Sequence, residues 1–364
     1  MADEMRSAVW RNEMQSLFLT LALAAGITAA APVRDMAGRN LSMTLPVKSV
    51  YSTSPVGEVY MYTLAPELVC GISWTLRPRE TAWLLPSYAR LPVLGGWMGK
   101  SASANLEEIV RRKPGMILSI GSLDGQARSQ ADRLQRQLGR PVVMGSWTFA
   151  EIPATYRFLG NLLGRKVRAD SLAARSQQIL DEVARLRARG AGKPVPRVYY
   201  AEGLRGLETD PSGSAHAEPL GMVGALNVAH VPMESGFGRT AVSFEQLLSW
   251  DPDWILVGED HTDPSAPGTL TRLKADPHWK LLRAVRTGHI VRIPDLPFNW
   301  FDRPPAPSRL LGLLWLEALL HPDQMPKAHF QSEMRSFFRQ FYHRSLTPSE
   351  EATLLKDAFP EAAH

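Results

Sequence analysis

The stretch ATYRFLGNLLGRKVRADSLAARSQQILDEVARLRARG, residues 154–190, divides the chain into two halves built on one plan. Tyr156, Leu159, Leu162 and Leu163 precede a break at Gly164. Leu172, Ile179, Val183 and Leu186 then recur near helical spacing, with Arg, Gln, Asp and Glu between them. That periodicity marks an amphipathic helix with one buried face. Asp170 is placed to cap it and Arg187–Gly190 to end it. From Ser171 to Arg189 it spans roughly 28 Å, long enough to bridge two lobes.

On either side, short apolar runs alternate with helical segments. Before the long helix, Ser49–Ser52, Leu68–Ile72, Met116–Ile120 and Pro141–Met144 read as strands, with helices at 57–64, 106–113 and 126–139. Beyond it, Arg197–Tyr200, Trp254–Val257 and His289–Ile293 read as strands, with helices at 214–223, 243–250 and within 270–282. Two helices, 308–320 and 329–342, follow. Continuous apolar strands alternating with helices indicate parallel sheets covered on both faces. The fold class expected is α/β, two Rossmann-like lobes joined by one long helix with a ligand cleft between them. The divisions expected are 1–31 as a signal peptide, 32–153 and 191–346 as lobes, 154–190 as the link and 347–364 as a tail.

Composition narrows the function. The chain has 364 residues, 45% of them hydrophobic, and a formal charge of +5 with no basic block. Nucleic-acid binding has no support in that distribution. Arg6 and Arg11 precede the apolar run Leu17–Ala25 and the small residues Thr28–Ala31. This is the layout of a secretory signal peptide, too short to span a bilayer, with cleavage expected near Ala29–Ala31. Cys70 is the only cysteine. No internal disulfide and no lipid anchor is therefore expected, and a periplasmic location fits.

Asn105-Leu-Glu107 opens a helix that leads to Lys113-Pro-Gly-Met-Ile117; Ser243-Phe-Glu245 opens another that leads to Trp250-Asp-Pro-Asp-Trp-Ile255. Capping and the helix dipole account for each glutamate singly, but not for the duplication. With Val93-Leu-Gly-Gly96, Leu162-Leu-Gly-Arg165, Gly224-Ala-Leu-Asn-Val-Ala229 and Trp300-Phe-Asp-Arg303, these pieces make the chain resemble the periplasmic substrate-binding proteins of ABC importers for iron-siderophore, haem and cobalamin chelates. The resemblance implies docking on a permease, with its ATPase, through one surface glutamate per lobe. Glu107 and Glu245 stand at those positions. Glu58 stands for a further family glutamate after the first strand, while Ala65-Pro-Glu67 replaces the expected Gly-Asp turn.

The resemblance further implies a metal chelate as ligand, with no intrinsic cofactor and a monomeric protein. A ferric siderophore is the leading candidate, before haem, cobalamin and nickel or cobalt chelates. Ligands of parallel sheets sit beyond the carboxyl ends of strands. Anionic siderophores are held by arginines and aromatic faces, which nominates Arg205, Arg239 and Arg303 beside Trp97, Trp147 and Trp300. His216 and His261, the latter near Glu259, Asp260 and Asp263, are candidate metal ligands. Enzyme readings lack context: the letters Gly236–Ala241 match a dinucleotide fingerprint with no strand running into them, and no Gly-x-Ser-x-Gly elbow occurs. A nitrogenase- or chelatase-like metal-cofactor enzyme is the alternative of a different class.

Overall fold

The computed structural model describes residues 30–97, 104–233, 239–259 and 267–360. An antiparallel hairpin, β1 (Ala30–Arg34) and β2 (Asn40–Thr44), lies against the first lobe, where Met36 N–H donates to the Met144 carbonyl at 3.2 Å. The first sheet is parallel, in the order β3 (Val50–Ser52), β4 (Met116–Gly121), β5 (Val142–Ser146). Helices α1 (Pro55–Leu64), α2 (Leu106–Arg111) and α3 (Gly125–Leu138) flank it. The second sheet is also parallel, in the order β11 (Ile290–Arg292), β10 (Trp254–Val257), β6 (Arg197–Ala201), β8 (Leu226–Asn227). A small antiparallel pair, β7 (Glu208–Thr209) and β9 (Thr240–Ala241), sits beside it.

The expected strand 68–72 does not form. Pro66–Leu68 makes a 3-10 turn, and only the single bridges Val50–Val69 and Ile72–Val93 remain. The link consists of two helices, α4 (Ile152–Leu163) and α5 (Lys166–Arg189). Gly164, at φ 65°, supplies the left-handed residue that ends α4. The long helix thus starts five residues before Ser171, and its 24 residues span roughly 36 Å.

After β8 come α6 (Phe244–Trp250), α7 (Thr269–Ala275), α8 (Ser308–Leu320), α9 (Lys327–Phe341) and α10 (Pro348–Leu355). Every residue of α8 is buried, so it is a core helix. Among the described residues no helix is long and apolar enough to cross a membrane.

The long helix is not the only tie between the lobes. One apolar cluster runs from Val50 and Leu118 of the first sheet to Tyr200 and Leu256 of the second, through α8 and α9. Tyr62 of α1 packs edge-on to Phe298 at 5.4 Å, and Trp83 edge-on to Phe338 at 6.3 Å. The segment expected as a tail is likewise part of the fold. Leu354 and Ala358 are buried, the Trp315 indole N–H donates to the Ala358 carbonyl at 2.9 Å, and Arg292 N–H donates to the Asp357 carbonyl at 2.8 Å. The charged Glu350-Glu351 pair hides this in the sequence, because those side chains cap α10 and bind Arg344 and Arg335.

Candidate functional site

A cavity of about 300 Å³ lies between the lobes. Trp74, Arg77 and Glu80 line it from the first lobe; Tyr200, Glu202, Arg239, Glu259, Asp295, Phe298, Asn299 and Arg303 line it from the second. Glu202 follows β6, Glu259 follows β10 and Asp295 follows β11, so the second-lobe wall stands at the carboxyl ends of three parallel strands. Across the cleft, Arg79 pairs with Asp295, which also receives Arg292 at 3.3 Å. Burial, then Arg77, lowers the Arg79 guanidinium to about 10.

Arg303 is the hub of the charge network. Its Nε lies 3.1 Å from Glu202 and 3.2 Å from Asp302, and its terminal nitrogen donates to Asp210 at 2.7 Å. Asn299 positions the loop, accepting from Phe301 N–H at 2.8 Å and Asp302 N–H at 3.0 Å. Arg239, entering β9, binds the same Glu202 oxygen at 2.9 Å and reaches Glu208 at 3.6 Å. Burial opposes the charge on Arg303, but Asp302, Glu202 and Asp210 outweigh it and hold the guanidinium above its ordinary value. Burial likewise opposes ionisation of Glu202, and Arg303 and Arg239 outweigh it. Asp210, raised by burial and then by Glu202 and Asp302, is pushed up to about 7.

His216 stands beside this network. Its Nδ1 lies 2.5 Å from Asp302 Oδ1, and the Ser214 hydroxyl accepts from its backbone N–H at 3.1 Å. Ser214 in turn donates to Asp210 at 3.0 Å, which keeps residues 214–217 in a turn. The helix expected at 214–223 therefore shortens to Glu218–Met222. Asp210, His216 and Asp302 offer ligand atoms within 4.8 Å of one another. From the first lobe, Trp147 approaches the imidazole edge-on at 6.5 Å.

The nominated residues separate into groups. Arg239 and Arg303 line the cavity. Trp97 and Trp147 line a second cavity of about 290 Å³ in the first lobe, with Thr53, Ser54 and Ser122; Trp147 alone reaches the histidine. Arg205 is exposed and borders an adjoining groove beside Glu208 and Glu245, outside the lining of the inter-lobe cavity. Trp300 is not a cleft residue. It is fully buried, its indole N–H donates to the Leu296 carbonyl at 3.0 Å, and Phe330 and Phe338 pack on it edge-on at 6.2 and 6.4 Å. His261, Asp260 and Asp263 lie outside the described residues, as do Gly236 and Gly238 of the dinucleotide-like letters.

Glu107 and Glu245 are both exposed at the second position of their helices. Asn105 Oδ1 caps α2 at 3.1 Å and Ser243 Oγ caps α6 at 3.2 Å. Glu108 is taken by Arg111 and Arg112, so Glu107 is the carboxylate left facing outward on α2. Its own backbone N–H and the Ser243 hydroxyl hold Glu245 below the usual carboxylate range. Glu58, by contrast, is buried, receives the Ser73 backbone N–H, and is raised by desolvation to about 7.

Sequence reading places Trp74, Glu202 and Asp302 on loops beyond the strands without giving them a ligand role, and passes over Asp210. The available signal was position, since Trp74 and Glu202 stand just beyond expected strands.

The fold has close counterparts among known proteins. Residues 91–296 match the family model described as periplasmic binding protein. The vitamin B12-binding protein of Salmonella typhimurium is 30% identical over 221 residues, 60% of this chain and 72% of that protein. An ABC transporter solute binding protein from Sulfurospirillum deleyianum superposes with a TM-score of 0.81 at 28% identity, over 89% of this chain and 99% of the other. The molybdate periplasmic binding protein MolA of Haemophilus influenzae shares the fold, with a TM-score of 0.69 at 17% identity over 87% of this chain and 99% of that one. These relatives carry the names of binding proteins of transport systems rather than of enzymes. With more than half of its length inside the family match, this chain belongs to the periplasmic binding protein family of ABC transporters.

Proposed function

We propose that this protein captures a metal chelate in the cleft between its lobes and delivers it to an ABC permease and its ATPase. The observation that carries this reading is the His216–Asp302 pair. Nδ1 is engaged at 2.5 Å, so among the described residues the ring nitrogen left open is Nε2, on a residue that meets Trp147 of the other lobe. A carboxylate behind a histidine fixes ring orientation and raises ligand basicity, as metal-binding histidines require. His216 would complete the coordination of a metal already wrapped by its chelator, between Trp147 and the Arg303 loop.

A ferric siderophore is the first ligand class. Likeness to a vitamin B12-binding protein at 30% identity supports a corrinoid as the second, with cobalt in place of iron. Glu107 and Glu245 would seat on the permease, one from each lobe. In this reading the chain acts as a non-enzymatic monomer in the periplasm, exported by residues 1–31 and carrying no lipid.

Native mass spectrometry with metal analysis, on protein purified from an exporting host, tests the proposal. A mass excess of chelate size that is lost on denaturation, with stoichiometric iron or cobalt, is the expected result. Repeated recovery at bare chain mass, with no uptake of added chelates, would overturn it.

A further inference from the structure

The arginines of the cleft invite an anionic ligand only until their partners are counted. Three arginines, Arg77, Arg239 and Arg303, line the cavity against four carboxylates, Glu80, Glu202, Glu259 and Asp295. Each arginine is already engaged: Arg77 by Glu80 at 2.5 Å, Arg239 by Glu202, and Arg303 by Glu202, Asp210 and Asp302. Those carboxylates have nowhere to turn. Glu202 is 1% exposed and Asp210 and Asp302 are 0% exposed, so an anion that took their arginines would leave buried charge uncompensated.

A helix N-terminus beside the cavity is also filled from within. Glu259 accepts the N–H groups of Thr269 at 2.7 Å and Leu270 at 3.3 Å at the start of α7, where an incoming anion would otherwise be drawn. Among the described residues Glu202 Oε2, buried in the wall, accepts from no N–H, and the side chain that shares a hydrogen bond with this carboxylate besides the two arginines is another acid, Asp210. The segments 98–103, 234–238 and 260–266 contain one lysine, Lys100, and three carboxylates, Glu234, Asp260 and Asp263, so their sequence adds no cationic excess. Trp74 adds an aromatic side chain to the wall, which suits a cation or a flat neutral ring.

We infer that the cleft selects by charge, admitting neutral or cationic metal chelates and rejecting polyanionic ones. This rests on the metal-chelate reading above and narrows it. Among ferric siderophores it favours hydroxamate-type complexes of zero or positive charge over the tris-catecholates, and it leaves a neutral corrinoid acceptable.

The test is a charge series followed by tryptophan fluorescence on the full mature protein. The probes are a cationic ferric tris-hydroxamate, a neutral cyano-corrinoid and a trianionic ferric tris-catecholate. The better of the first two should bind at least ~100-fold tighter than the trianion at low salt, and that margin should shrink as salt rises. Glu202→Gln should narrow the margin about tenfold by removing one wall charge, and Glu259→Gln should do so independently. A trianion that binds as tightly as the other probes would overturn charge selection while leaving the chelate reading intact. So would a margin unchanged in both variants. Failure of all three probes, with no metal complex on protein recovered from cells, would overturn the chelate reading itself and this inference with it.

Discussion

His216 and Asp302 are 86 positions apart in the chain, yet Nδ1 of one meets Oδ1 of the other at 2.5 Å. Asp302 is fully buried, and its second oxygen lies 3.2 Å from Arg303 Nε without hydrogen-bond geometry. The histidine is thus held by a side chain that the core keeps in place. His216→Gln should weaken binding of the native chelate by roughly 10- to 100-fold and shift the metal-centred absorption of the complex. Asp302→Asn should give a smaller loss with the same spectral shift. An unchanged spectrum in both variants would remove His216 from the metal.

Arg303 behaves differently from a simple ligand contact. Three buried carboxylates depend on it, so Arg303→Ala should lower stability by about 3–5 kcal/mol as well as weaken binding. Adding Glu202→Gln should recover part of that loss, because one uncompensated charge is then gone. Urea unfolding of the three proteins measures both effects. A single variant as stable as the parent would show that the network rearranges without cost.

What the sequence disclosed follows from what is local. The apolar run of β4, the caps at Asn105 and Ser243, and the long amphipathic helix each depend on neighbours a few positions away; the first three appear where expected, and the helix ends where expected but begins at Lys166, with Asp170 inside its first turns instead of capping it. The charge network does not work that way. Glu202, Arg239 and Arg303 meet only because the order β11-β10-β6-β8 gathers strand ends whose loops are up to 101 positions apart. Trp300 misled for the same reason. Its flanks, Asn299 and Asp302, do belong to the cleft loop, while the phenylalanines that bury it come from α9. His216 and Asp302 were each visible in the sequence, but their meeting, and Asp210 beside them, were not.

The two exposed glutamates should act in delivery and not in capture. Neither lines the inter-lobe cavity, and both stand on capped helices at the surface. Glu107→Ala with Glu245→Ala should abolish import of the chelate in cells while its affinity for the purified protein stays within about twofold, since an exposed carboxylate adds little to the fold. Transport assays beside binding titrations separate the outcomes. Weakened binding would mean that one glutamate serves the ligand site.

Glu317 sets an alkaline limit on stability. It is fully buried in α8 with neither carboxylate oxygen hydrogen-bonded, and burial, then Glu182, raises its carboxyl from 4.5 to about 8. The folded state therefore keeps the proton to a higher pH than the unfolded chain. The stability this gives is complete below the unfolded value and is lost as pH rises through the folded one. Between about pH 5 and about pH 8 the loss should reach roughly 3 kcal/mol, and buried Glu58 should add to it in the lower part of that range. Glu317→Gln, neutral throughout, should flatten the pH dependence of the melting temperature above about pH 6. A variant with the parent's full slope would place the titration elsewhere.

Gly312 decides where the Arg303 loop can lie. A Cβ built on this residue of α8 would fall 1.7 Å from the Trp300 carbonyl oxygen, closer than any side chain can approach. The helix and the loop thus touch backbone to backbone, and that contact seats Trp300 in the core while Asp302 and Arg303 turn toward the cleft. Gly312→Ala should push the loop outward. Helix propensity alone would favour the alanine by about 1 kcal/mol, so net destabilisation would report the clash directly. A loss of about 2 kcal/mol or more, with the His216-dependent spectrum altered although no cleft side chain has changed, is the expected outcome. A stabilised variant with unaltered binding would mean that the loop can lift from α8 without disturbing the site.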